Sequence, residues 1–370
     1  MYYKDYIGII GSGIAGLSLG FELSRRGAKC IIIDSQSPER ASSLGQGLMS
    51  LKGINTPREP LFKMKFESLA RVRKWLQDLE SYAGNRCSRI EGIYQPFRDE
   101  NEYRNLSKRI YQDKFLGCYQ VETLDPSRVK FHDDIQGSAT DPYSGYLYYG
   151  GDYWYSCSEV LKNLEIAFTR SGGSIWNEKI LKICSGASVQ FESDCNRLVE
   201  FGKVVIAAGA GTEEICESSG FKIPMLKNVS GARLVSEFKF SGDIVLTRST
   251  NSAVFHRNKI FMGSVDWKGT SRDLPDSTYV GQKMEEIAFS FGFSKDLVKN
   301  GRIDRGVRVS AKNRYPIVKP IANTECKVFL YTGLYKNGFQ LAERCSSYLA
   351  DLILLGKSQD KLMVKAQLLS

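Results

Sequence analysis

Histidine is nearly missing from this chain. Two histidines, His132 and His256, stand among 370 residues. That excludes a His-rich metal site and argues against a histidine-based catalytic triad; each is expected as a surface or loop residue. The nine cysteines, at positions 30, 87, 118, 157, 184, 195, 216, 326 and 345, form no CxxC pair. Neither a zinc site nor a thioredoxin-type redox couple is therefore indicated, and no metal is expected. An odd, scattered set fits reduced thiols, several of them acting as small core hydrophobes. Long apolar runs are lacking too: 204–208 and 349–355 are too short or too interrupted to span a bilayer. With no apolar signal segment ahead of residue 7, the expectation is a cytoplasmic protein without stable membrane insertion. Repeats and low-complexity tracts are absent. So is any dense basic run, although the net charge is +10; that balance fits either an acidic partner such as RNA or a generally basic surface.

What the chain does have begins at once. Residues 7–10 are an apolar run suited to a strand buried on both faces. Gly11-Ser12-Gly13-Ile14-Ala15-Gly16 follows, then a helical run to Arg25, then a second apolar strand ending in Asp34. This is a strand, a glycine-rich turn, a helix, a strand and an acidic residue, the full context of a dinucleotide site. Gly11 permits the tight turn, Gly13 lets backbone approach a pyrophosphate, and Gly16 lets helix and strand pack closely. The helix N-terminus offers N–H groups and a partial positive charge to phosphate. Asp34 stands where a carboxylate accepts hydrogen bonds from ribose hydroxyls. The competing reading is a βαβ unit that binds nothing.

Further along, apolar residues at helical spacing predict a helix over 60–82 and another over 101–111, with a strand at 89–94 between them. The tyrosine-rich stretch 143–157 alternates like strands, with a turn at Gly150-Gly151. A helix is expected over 157–171, and a single strand over 174–183. Residues 203–211 read as a buried strand ending in small residues, where a cofactor can lie against backbone. Residues 228–270 alternate again, followed by a helix near 280–291. Residues 328–342 form a third strand and glycine turn leading into a helix through 355. Strand–turn–helix units thus occur at the start, near 205 and at the end. The fold expected is α/β, a discontinuous Rossmann-like domain (1–85 with 150–220 and 325–370) around an inserted α+β substrate domain (86–149 with 221–324) carrying a mainly antiparallel sheet.

These pieces, in this order, resemble the D-amino-acid-oxidase-like superfamily of FAD-dependent oxidoreductases over nearly the full length. The carriers are Gly11–Gly16 with Asp34, the loop 41–47, residues 149–164 and 204–211, Gly306-Val307-Arg308 with Arg314-Tyr315-Pro316, and 332–342. The resemblance implies FAD, non-covalent because no cysteine lies in the C-terminal turn. Gly11, Ser12, Gly13, Ile14, Ala15 and Gly16 would hold the pyrophosphate, and Asp34 the ribose. Ser43, Gln46 and Gly47 would run along the pyrophosphate and flavin, Ile180 would meet adenine, and Ala208 and Gly209 would pack on the ADP half. Gly333, Asn337, Gly338, Phe339 and Gln340 would approach the flavin edge, where a helix N-terminus favours an anionic reduced ring. Arg308 would grip a substrate carboxylate through its planar fork, the alternative being an arginine in a strand-edge salt bridge. Lys336 would add charge beside the flavin or stand as an exposed turn lysine, and Tyr153, Tyr149 and Tyr155 are candidates to line the substrate cavity, with most of that cluster expected as packing and one or two members at the substrate.

Glycine oxidase and the FAD domain of the bacterial enzyme that modifies the tRNA wobble uridine are the most similar subgroups. The chain departs from both at Arg314-Tyr315 and at Tyr335-Lys336. The activity implied is oxidation of the C–N bond of a small amine or amino acid by hydride transfer to the flavin. The alternatives are a tRNA-modifying oxidase acting on a carboxymethylaminomethyl wobble uridine, a flavin-binding protein without turnover, and a membrane-surface dehydrogenase anchored through 349–370.

Overall fold

A computed structural model describes residues 2–38, 40–51, 61–111, 121–132, 143–184, 187–191, 197–240, 242–268, 277–325 and 327–370. The chain opens with β1 (Tyr2–Ile10), α1 (Ile14–Arg25), β2 (Lys29–Ile33) and the short β3 (Leu48–Met49). Then come α2 (Leu61–Ala83), β4 (Arg89–Phe97), α3 (Glu100–Tyr111), β5 (Val121–Leu124), β6 (Gly145–Tyr155) and α4 (Cys157–Arg170). Next are β7 (Ser174–Trp176), β8 (Ile180–Ile183), β9 (Ser188–Phe191), β10 (Leu198–Ile206) and α5 (Thr212–Ser218). They are followed by β11 (Leu226–Glu237), β12 (Ile244–Arg248), β13 (Asn251–His256), β14 (Lys259–Lys268), α6 (Ser277–Ser290) and α7 (Asp296–Lys299). The chain closes with β15 (Arg302–Ala311), β16 (Ile317–Pro320), β17 (Val328–Thr332), α8 (Gly338–Leu355) and α9 (Lys361–Leu369).

Two sheets organise these elements. In the first the order is β16-β17-β10-β1-β2-β7, with β9 on β10 and β8 on β9. Its centre, from β17 to β7, is parallel. Alternation along each central strand explains why it is apolar throughout. Ile7 and Ile9, Val205, Phe329 and Tyr331 face one core, against α1, α2, α4 and α8. Ile10, Val204 and Ile206, Val328 and Leu330 face the other, which Ile215 and Cys216 of α5 help to close. A strand covered on both sides has no polar face to show.

The second sheet runs β15-β11-β14-β13-β12-β4-β6-β3, with β5 on β6. Among the described residues every pairing in it is antiparallel except β12 with β4. It buries one face under α6, whose Val280, Met284 and Ile287 recur at helical spacing.

Three local expectations change. Gly150-Gly151 is no turn: β6 continues through them to Tyr155. On β6, Tyr149 and Tyr153 lie opposite Ile93 and Glu91, so the glycine pair sits in a bulge facing Gly92, which takes φ 79°. The single strand expected over 174–183 is broken into β7 and β8, which pair with different neighbours. Strand β4 also extends past residue 94 to Phe97, because β6 continues to pair with it. No helix among the described residues is long and apolar enough to cross a membrane.

Candidate active site

A single cleft of about 1660 Å³ runs along the ends of the central parallel strands and continues onto the second sheet. At one end lies the β1–α1 turn. Gly11 takes φ 107°, a conformation only glycine adopts cheaply, and its N–H donates to the Ile33 carbonyl at 2.8 Å. A Cβ on Gly16 would stand 1.8 Å from the Gly11 carbonyl oxygen, so this position tolerates no side chain. Helix α1 therefore starts tight against the turn. It has no acidic residue in its first turn and no side chain of its own as cap. Its positive end is left open to an anion. One donor is taken, since the Ile14 N–H donates to Ser42 Oγ at 3.0 Å.

Asp34 is buried beside this turn. Its Oδ2 accepts from the Ser12 N–H at 2.5 Å, and its Oδ1 from the Gln36 N–H and from Arg40 Nη2, both at 2.6 Å. A carboxylate has about four acceptor positions. Three are filled, which leaves room on Oδ2 for one hydroxyl. Arg40 also donates from Nη1 to Ser12 Oγ at 3.0 Å. Sequence reading missed Arg40; the only signal was a lone cation in the polar loop after Asp34.

The middle of the cleft is lined by Gln46, Gly47, Ile180, Ala208 and Gly209, all singled out above, and by Ser42. Ser43 is a correction: it is exposed and does not line the cleft, because the 3-10 turn over Ala41–Leu44 points its neighbour Ser42 inward instead. Ser12 and Gly16 do not line it either. Ser12 spends its N–H on Asp34 and its Oγ on Arg40, and Gly16 packs against Gly11, so both shape the turn from behind. Gln46 is unusual. Both atoms of its side-chain amide are buried and have no partner. Gln46 itself lines the cleft, so these orphaned amide atoms lie within its wall.

Gly333, Asn337, Gly338, Phe339 and Gln340 all line the cleft where β17 hands over to α8. The Gln340 amide is used internally, donating to the Lys65 carbonyl at 3.1 Å. Lys65, on the inward face of α2, was not singled out from sequence; it looks like any helix lysine there. It is buried, lines the cleft, and burial pushes its ammonium down to about 8, only partly offset by Asp152.

The far end gathers charge. Arg308 on β15 and Lys336 in the last turn both line the cleft. They share one carboxylate: Arg308 Nη1 donates to Asp266 Oδ1 at 2.6 Å, and Lys336 Nζ to Oδ2. Ser264 Oγ adds a hydrogen bond to Oδ1 at 2.9 Å. Burial raises the Asp266 carboxyl, but the charges of Arg308 and Lys336 outweigh it and hold the group below the usual carboxylate range. Beside them Tyr335 takes φ 49°, a strained conformation for an aromatic residue, and burial next to Asp266 pushes its phenol up. Asp266 was missed because nothing marks one aspartate in an alternating strand.

The expected tyrosines are not here. Tyr153 is fully buried between β6 and α2, and its hydroxyl donates to the Leu69 carbonyl at 2.6 Å. The Arg73 guanidinium stacks on its ring at 4.6 Å. Tyr149 donates to Gln95 Oε1 at 2.8 Å, and neither it nor Tyr155 lines the cleft. The wall they were expected to form is built by the hydroxyls and amides of Thr247, Ser249, Thr250, Asn251 and Ser252 on the β12–β13 hairpin.

Residues 7–352 match the family model described as DAO, FAD dependent oxidoreductase. No curated protein sequence matches the chain. Among solved structures, glycine oxidase from Geobacillus kaustophilus superposes with a TM-score of 0.78 at 18% identity, over 97% of this chain and 96% of that one. Glycine oxidase from Bacillus cereus gives 0.77 at 21% identity, over 98% of each chain. Iminodiacetate oxidase from a Chelativorans species gives 0.80 at 15% identity, over 96% of each. At such identities the likeness carries the fold.

Proposed function

The chain belongs to the DAO family of FAD-dependent oxidoreductases, and from that premise we propose that its cleft oxidises the carbon–nitrogen bond of a small amine or amino acid. The observation that carries this reading is continuity: one cleft joins the Asp34 turn to the Arg308–Asp266–Lys336 cluster.

The residues present fit FAD. Asp34 keeps one acceptor position for a ribose hydroxyl, α1 presents a positive end with no acidic residue in its first turn for a pyrophosphate, and Gln46 carries an unpartnered amide deeper in. Gly11, Gly13, Ile14, Ser42 and Arg40 would hold the diphosphate end, with Ile180, Ala208 and Gly209 against the adenosine. Gln46, Gly47 and the 333–340 turn would hold the flavin. Bound FAD supplies the two-electron acceptor that no side chain provides.

The chain's own residues then bind and orient. The β12–β13 hairpin offers hydroxyls and amides to a polar substrate, and Arg308 and Lys336 set the charge at its far side. No histidine is among the lining residues. An amine entering in its neutral form needs no side chain to take its proton first, which suits such a wall. Lys65, whose ammonium burial lowers to about 8, is a titratable group on the same cleft wall.

The test is anaerobic mixing of the FAD-loaded protein with glycine, sarcosine, proline, D-amino acids, simple secondary amines and glycerol phosphate. Loss of the oxidised flavin spectrum with an amine and not with glycerol phosphate is expected. Loss with glycerol phosphate alone overturns the proposal.

A further inference from the structure

Resting on that reading, we propose that Asp266 is a specificity-determining residue, a built-in carboxylate that occupies donors of the two cationic side chains lining the far end of the cleft and so turns away small monocarboxylates. A carboxylate bound there would use the fork of Arg308 and the ammonium of Lys336. Both already serve Asp266, one on each of its oxygens, and Ser264 holds it from its own strand. The guanidinium occupies space that the glycine at position 231 leaves free. It lies over the backbone of Gly231, where a Cβ would stand 2.7 Å from Nη1 and 2.9 Å from Nη2. The side chains of Arg308, Asp266 and Lys336 are 15%, 25% and 37% exposed, so the Arg308–Asp266 contact is the more sheltered half of the pairing.

A carboxylate from solution competes at a disadvantage. It must displace a partner that the fold supplies without loss of translational freedom. It must also leave Asp266 beside a second anion, both half-buried. Discrimination by an internal competitor is a repulsive element in the site, effective against ligands whose anion has to occupy that position. An amino acid whose carboxylate adjoins the reacting carbon is such a ligand. An amine without that carboxylate is not, and the inference is that the substrate is an amine of this second class.

Acetate is the probe, titrated by calorimetry into the FAD-loaded protein. The Asp266→Asn variant removes the competing charge and keeps the shape. It is expected to bind acetate at least tenfold more tightly than wild type, and Asp266→Asn combined with Arg308→Met is expected to lose that gain. Equal or weaker binding by Asp266→Asn overturns the proposal, because Asp266 would then be holding the two cations in place for an anion. If Asp266→Asn fails to fold, Asp266→Ser is judged by the same criterion. The two readings fail differently. An unchanged acetate affinity in a protein that still oxidises amines removes this inference alone. Absence of flavin reduction by every amine removes the amine-oxidation reading and leaves the acetate result standing.

Discussion

Lys65 and Tyr153 both meet α2, yet the first lines the cleft and the second is sealed from it. Lys65 has its ordinary value of 10.5 lowered to about 8 by burial. Between those values the unfolded chain holds a proton that the folded chain does not, so stability rises with pH across that window. The Lys65→Met variant lacks the buried cation. With flavin loading matched, it is expected to be more stable than wild type at neutral pH, and its advantage should shrink between pH 8 and 10.5. Denaturant titrations at several pH values check this; an advantage that grows over the window contradicts it. For Tyr153→Phe the expected outcome is a loss of about 1 kcal/mol in stability, the ordinary value of one buried hydrogen bond, with amine turnover and KM unchanged. A large rise in KM would return Tyr153 to the site. Residue roles were legible where backbone geometry dictates the residue type. Gly11 and Gly16 were read correctly because only glycine fits a φ of 107° or a 1.8 Å approach. Ser42 against Ser43 was not legible, since adjacent serines differ only in which way a 3-10 turn points them.

Elements were easier to find than to end. Strand β17, its glycine turn and α8 were read from sequence nearly to the residue, because four successive apolar residues, a Gly at φ 77° and a helix closed by Gly356 each punctuate strongly. The Gly150-Gly151 bulge was misread as a turn because glycine marks both, and only pairing with β4 decides between them. Helix α9 gives this scale its prediction. Asp360 caps it, accepting from the Leu362 and Met363 N–H groups at 3.1 Å. The same carboxylate grips Arg344 of α8 through two bonds, at 2.7 and 2.8 Å. Burial raises the Asp360 carboxyl, but Arg344 and the capped N–H group more than offset it. The Arg344 side chain is 5% exposed. Asp360→Ala removes a cap and strands a buried charge, and about 3 to 5 kcal/mol of stability is expected to go with it. Chemical denaturation measures the loss; a change below about 1 kcal/mol would mean that Glu67, the other partner of Arg344 at 2.8 Å, suffices alone.

On the scale of the whole molecule, the parallel sheet was legible because its strands are covered on both faces and read as unbroken apolar runs at the start, near 205 and near 330. The second sheet was legible only as strand-rich. Its order is set by pairings between segments as distant as β4 and β12, which no local pattern records. That is also why the β1–α1 end of the cleft was legible in one motif. The charged end was not, for it is assembled from β14, β15 and the turn before α8. The measurement that bears most directly on the central claim is an anaerobic titration of the FAD-loaded protein with amines, followed by analysis of the product. The account predicts that at least one amine bleaches the flavin with one equivalent per bound FAD and yields the matching carbonyl compound after hydrolysis of the imine. A flavin that dithionite reduces fully, but that no amine in the panel reduces at all, would contradict it.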